Sequence, residues 1–132
     1  MALKNRFLHF SAQIQLHLLD HHFCREKIRQ SLKLTGLDIF FDNNIFSSYD
    51  VQSWKPEPGL FIHAAQAMGY SPSDCIVIED SEVGLAAAEA AGMHAVLYNP
   101  FGERESVHEL RSMSDLPELI GAVSVRSFSA NP

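Results

Sequence analysis

Long apolar runs are missing from this chain: no stretch reaches the roughly 18 uninterrupted apolar residues that a membrane-crossing helix needs, and charges and histidines interrupt the N-terminus where a signal peptide would have an apolar core. No membrane partner is expected. Cysteine is scarce, with Cys24 and Cys75 far apart and without ligand spacing, which excludes a disulfide framework and a thiolate metal cluster. Reduced thiols in a cytoplasmic protein are the expectation. Positive charge is outnumbered, with Lys+Arg 10 against Asp+Glu 16 and a formal net charge of −6, and no run of Lys or Arg gathers into the basic surface that a nucleic-acid backbone requires. Repeats and low-complexity tracts are absent too. What remains is 132 residues, 46% apolar and 20% charged, a composition and length that suit one globular domain.

Cys75 to Gly92 organises the rest. Cys75-Ile76-Val77-Ile78 is a continuous apolar run of the kind that forms a parallel strand covered on both faces. Its carboxyl end delivers Glu79 and Asp80 to the edge where open α/β sheets bind ligands. Val83, Ala87, Ala90 and Ala91 follow at helical spacing, and Gly92 stands where a left-handed stop is favoured. Two adjacent carboxylates repel unless a cation or hydrogen bonds compensate. Their hard oxygens suit Mg²⁺, which takes few protein ligands. The alternative is that both acids simply cap a helix N-terminus.

Upstream, Gln13 to Leu18 alternates polar and apolar as a half-exposed strand would. His17, Asp20, His21 and His22 form a cluster readable as metal ligands or as a polar strand end. Arg25–Thr35 is predicted as an amphipathic helix stopped by Gly36, Leu37–Asp42 as an apolar turn landing on the core, and Ile45–Tyr49 as a strand. In Trp54-Lys55-Pro56-Glu57-Pro58 the prolines predict a stiff, extended loop, on which Lys55 reads either as an ordinary surface lysine or as an ammonium presented to an anion. Pro58–Gly69 reads as a helix bearing Phe61, Ala64, Ala65 and Met68 on one face. Met93–Tyr98 reads as a second buried strand, completing a right-handed βαβ unit. Two short helices, 103–113 and 115–122, are expected next, with fraying from Ser124 onward.

Taken together, Gly36-Leu37-Asp38-Ile39-Phe40-Phe41-Asp42, Ile45-Phe46-Ser47-Ser48-Tyr49-Asp50, Lys55-Pro56-Glu57-Pro58 and Ile78-Glu79-Asp80-Ser81 with Gly84 and Ala90-Ala91-Gly92 resemble the haloacid dehalogenase superfamily of phosphohydrolases, in the branch that includes β-phosphoglucomutase and 6-phosphogluconate phosphatases. The resemblance runs from Arg25 to Pro100. It implies an α/β fold, a Rossmann-like three-layer αβα core with a mostly parallel sheet, and a Mg²⁺-dependent phosphatase acting on a small phosphorylated metabolite. By the same resemblance Lys55 is the catalytic lysine that binds the phosphoryl group, and Glu79 and Asp80 are the Mg²⁺ ligands.

The family's first motif, an apolar strand followed by Asp-x-Asp-x-Thr, does not occur in these 132 residues. Asp42, in Phe40-Phe41-Asp42-Asn43-Asn44, and Asp20, followed by His22, each lack the second acid and the threonine. No hydroxyl stands near His22, where the second motif would place one, and no cap domain is present. The resemblance therefore implies a core lacking its first, central strand, divided into an atypical segment 1–24 that could supply a replacement strand, a family-like core 25–126 and a frayed tail 127–132. A truncated, catalytically silent phosphatase relative is one expectation. An interaction module that completes its sheet with a partner chain, as a homo-oligomer or strand-exchanged dimer, is the other.

Overall fold

The computed structural model describes residues 18–20, 23–41, 44–104 and 108–129, with backbone alone for 18–20 and 123–129. His17, His21, His22 and Asp42 lie outside the described residues, as does most of the segment predicted to form an N-terminal strand. Of that strand, Leu18–Asp20 is described as β1, and no side chain of it is.

Helix α1, Arg25–Thr35, ends at Gly36, whose φ of 68° lets its backbone N–H reach back to the carbonyls of Leu32 and Lys33. Ile28 and Leu32, one turn apart, pack on Ile45 and Phe41. Among the described residues of the predicted apolar turn only Phe41 lands on this cluster, and Asp38–Phe40 forms a single 3₁₀ turn that leaves Ile39 65% exposed. Strand β2, Ile45–Ser47, is shorter than the predicted 45–49. Ser47 ends it through a capping box with Asp50, and Ser48–Val51 turns into helix α2. Arg25 donates to the same Asp50 carboxylate at 2.7 Å, tying the start of α1 to the end of β2.

Helix α3, Gly59–Met68, is stopped by Gly69, and its inward residues Leu60 and Ala64 pack on Phe46. β2 is therefore sandwiched, with Ile45 against α1 and Phe46 against α3. Strand β3, Ile76–Glu79, helix α4, Glu82–Ala90, and strand β4, His94–Tyr98, form the expected βαβ unit, with Val77 opposite Ala95 and Glu79 opposite Leu97 in parallel register. Val77 and Ala95 pack with Ala87, Ala88, Ala91 and Phe61, whereas Ile76, Ile78 and Val96 pack with Leu116, Leu119 and Ile120. That alternation puts α4 on one face of the strands and helix α5, Leu116–Ser129, on the other. The result is the three-layer α/β arrangement with a parallel sheet.

Two expectations are corrected in the C-terminal part. Residues 103–113 form no helix among those described; Glu109–Leu110 is instead strand β5, parallel to β4. Asn99, only 5% exposed, holds the intervening loop by donating to the Arg104 carbonyl and the Glu109 carboxylate while accepting from Glu103 N–H. Helix α5 continues to Ser129, past the Ser124 at which fraying is predicted. The described strands make two parallel sheets, β1-β2 and β3-β4-β5, and β3 has β4 alone as its partner among the described residues.

Candidate phosphate and cation site

The carboxyl end of β3 is where the three sequence-predicted site residues fall. Glu79 is the last residue of the strand, and Asp80 follows it, exposed and without a hydrogen-bond or ion-pair partner among the described residues. Lys55 arrives from the other side, on the turn between α2 and α3. The prolines do not hold that turn extended, as predicted. Glu57 N–H donates back to the Trp54 carbonyl at 2.9 Å, so the chain reverses within four residues. The reversal points the lysine inward.

There the Lys55 ammonium forms an ion pair with Glu79 Oε1, the two side chains being 5% and 11% exposed. The aromatic ring of Phe61 lies under the ammonium, 5.5 Å from nitrogen to ring centroid, and its negative face adds a second favourable contact for the charge. The other carboxylate oxygen, Glu79 Oε2, accepts from Ser81 Oγ at 3.1 Å. Ser81 in turn accepts from Gly84 N–H at 3.2 Å and so caps α4. Helix capping thus falls to Ser81 and not to Glu79 or Asp80, which removes the purely capping reading of the acids. Gly84 closes the arrangement: a Cβ built on it would run into the Glu79 carboxyl group, so only glycine lets that carboxylate lie against the first turn of the helix.

Ser81 and Gly84 belong to the motif named above and Phe61 to the predicted apolar helix face, but sequence reasoning gave none of the three a role in the site. Ser81 carried a usable signal, a hydroxyl residue immediately before a helix. Phe61 carried none, because its spacing marks it equally as a core residue, and it is one.

The donor chemistry fits a hard divalent cation in part. Asp80 offers carboxylate oxygens with no partner among the described residues, and Glu79, each of whose oxygens has one partner, keeps a second lone pair on each. Among the described residues no group of three or more His, Cys, Asp and Glu side chains converges, so the remaining positions around such a cation would belong to water and phosphate. Cys75, at the start of β3, takes no part in this chemistry. Burial, and after it the neighbouring Asp74 carboxylate, pushes its thiol up, and its Sγ lies 3.5 Å from the Ser71 carbonyl.

Residues 25–92 match the family model for haloacid dehalogenase-like hydrolases. The 6-phosphogluconate phosphatase of Escherichia coli K12 is 34% identical over 98 residues, 70% of this chain and 44% of that protein. β-Phosphoglucomutase of Bacillus subtilis 168 is 50% identical over 42 residues, 32% of this chain and 19% of that protein. In fold, a haloacid dehalogenase-like protein from Agrobacterium tumefaciens C58 superposes with a TM-score of 0.78 at 24% identity, over 93% of this chain and 60% of that one. The chain spans less than half the length of the two curated relatives.

Proposed function

The chain belongs to the haloacid dehalogenase-like hydrolase family, and from that premise we propose that it carries the phosphate- and cation-binding half of a Mg²⁺-dependent phosphatase site for small phosphorylated metabolites, of the sugar-phosphate kind that 6-phosphogluconate phosphatase and β-phosphoglucomutase name. The observation that carries the reading is the meeting of Lys55 and Glu79, brought from two separate parts of the fold to one corner beside the free Asp80.

In this reading Lys55 binds the phosphoryl oxygens of the substrate. A preformed ammonium, fixed by a tight turn and shielded from water, stabilises charge that develops on a transferring phosphoryl group more than a solvated lysine would. Asp80, joined by Glu79, would hold Mg²⁺, which supplies charge neutralisation and a template for the phosphate when bound. Phe61 and Ser81 keep the lysine and the glutamate in register. These 132 residues contain no Asp-x-Asp-x-Thr, so the chain by itself is expected to bind its ligand without turning it over. A reducing cytoplasmic setting belongs to the same reading, supported by two free thiols, Cys24 and Cys75.

Calorimetric titration with inorganic phosphate in the presence of Mg²⁺ tests the site. Binding that is lost in both Lys55→Ala and Asp80→Ala is the expected result, and binding that survives both overturns it. Assay with p-nitrophenyl phosphate and Mg²⁺ tests the silence: turnover abolished by both substitutions would show that this chain hydrolyses phosphate esters unaided.

A second reading rests on the edge of β3, which has no neighbour among the described residues on the side away from β4. An unpaired parallel edge is a template for another strand. A second copy of the chain is the proposed partner, as a homo-oligomer or strand-exchanged dimer. Light scattering at micromolar concentration should then give a mass above that of one 14.7 kDa chain, and a monomer throughout would remove this reading.

A further inference from the structure

Between Lys55 and Arg126 the sequence holds only two Lys or Arg residues, Arg104 and Arg111, in a span rich in Asp and Glu. Both fall on the edge of the sheet that carries the candidate site. Arg104 lies in the loop that leaves the carboxyl end of β4, and Arg111 directly follows β5, which runs parallel to β4. The two are used differently. Arg111 Nε donates to Glu109 Oε1 at 2.7 Å, and its guanidinium lies so near Gly102 that a Cβ built there would come within 3.2 Å of it. Arg111 therefore braces the loop.

Arg104 is fixed at its backbone and loose at its tip. Its carbonyl accepts from the buried Asn99 amide at 2.8 Å. Its guanidinium is 45% exposed and has one ionic contact among the described residues, with Glu82 at 3.7 Å, whose own side chain is 78% exposed. An exposed pair at that separation holds weakly, and a guanidinium carries five N–H donors, most of which are left for a ligand. Glu82 opens α4 and stands two residues beyond Asp80. Only two Cα steps of about 3.8 Å each separate the residue that Arg104 touches from the acid proposed to hold the cation.

Resting on the phosphate-and-cation reading above, we infer that Arg104 recognises a second anionic group at the far end of the substrate, and that the substrate class is the phosphorylated sugar acids, with the phosphate at Lys55 and Asp80 and the carboxylate at Arg104. Glu79, Asp80 and Glu82 make this edge of the sheet hostile to an arriving carboxylate unless a fixed cation meets it. The planar guanidinium fork matches a carboxylate with two parallel hydrogen bonds, and a hydroxyl in its place accepts at most a weaker, uncharged one. Preference for an acid over the alcohol of equal length is the consequence, since specificity is the difference between the two affinities.

The experiment titrates three ligands calorimetrically into the full chain in excess Mg²⁺: inorganic phosphate, gluconate 6-phosphate, and glucitol 6-phosphate, which has the same carbon chain with a hydroxyl in place of the carboxylate. The chain is compared with its Arg104→Gln, Glu82→Gln and Arg111→Gln variants, each confirmed folded by circular dichroism. Arg104→Gln keeps the backbone carbonyl that Asn99 holds. The unaltered chain should bind the acid on the order of tenfold more tightly than the alcohol. Arg104→Gln should abolish that preference while leaving the affinities for phosphate and the alcohol within twofold, and Glu82→Gln should enlarge it. Arg111→Gln removes the same charge from the same edge and should leave the preference standing, which separates direct contact from a general field effect.

If phosphate binds and the two sugar phosphates bind equally, the inference is overturned and the site proposed above stands. A preference that survives Arg104→Gln, or that Arg111→Gln removes equally, overturns the assignment to Arg104. Loss of alcohol and phosphate binding in Arg104→Gln overturns it as well, because the arginine would then serve the phosphate end. If none of the three ligands binds the unaltered chain, the phosphate reading itself fails and takes the inference with it.

Discussion

Lys55 and Glu79 form a buried charge pair in which each compensates the other. Breaking a buried ion pair from one side strands a charge away from water, typically at about 3–5 kcal/mol, whereas removing both charges together is often close to neutral. Lys55→Met is therefore expected to lower the urea midpoint sharply, and the double variant Lys55→Met/Glu79→Gln should recover at least half of that loss. A double variant no better than the single one would show that the lysine contributes through its packing on Phe61 and not through its charge. Glu109 gives a second residue-scale expectation, in pH. Hydrogen bonds from Asn99 and Arg111 hold its carboxyl below the usual carboxylate range. A depressed folded-state value means stability that is present above the unfolded value of about 4.3 and is lost as the pH falls through the folded one. The stability difference between the unaltered chain and Glu109→Gln should accordingly be seen at neutral pH and fade on acidification below that range, as measured by urea denaturation at a series of pH values.

Helix α4 shows what the elements could and could not reveal in advance. Its existence, and its place between two buried strands, followed from Ile76-Val77-Ile78, the alanines and Gly92. Its buried stripe followed only in part: of the four residues at helical spacing, Ala87 and Ala91 are buried whereas Val83 and Ala90 are exposed, and Gly84 and Ala88 complete the inward face. In so alanine-rich a helix neighbouring faces differ little in hydropathy, and the glycine that the acidic corner requires shifts the contact stripe toward itself. Ala87→Leu is the matching prediction: a large side chain forced between α4 and Val77 should destabilise by about 1–3 kcal/mol, checked by thermal or chemical unfolding. Ala90→Leu, on the exposed face, should change little. The same limits explain β5, whose two residues are too few to show any period, and the Lys55 turn, where two prolines fitted an extended loop and a reversal alike. Lys55, Glu79 and Asp80 stood out in the sequence because each sits at a punctuation point, a strand end or a proline pair. Ser81's double role was not, because it depends on the depth at which Glu79 lies beneath the helix.

For the molecule as a whole, the ion pair joins two parts that the described strands keep in separate sheets: Lys55 follows the β1-β2 part, and Glu79 ends a strand of the β3-β4-β5 part. Phe61 makes the same connection through apolar contact with Ala87 and Ala88. The stripe of α4 sets how firmly one side of that joint is held. Ala87 and Ala88 are fully buried, and the buried residues of the helix, Gly84, Ala87 and Ala88, all have small side chains or none. Long side chains can swing and let a helix ride up from its strands, whereas methyl groups leave nothing to swing. Deuterium should therefore enter the amides of Val77, Ile78 and Val96 more slowly than those of α1, and the acidic corner stands on ground with very little give.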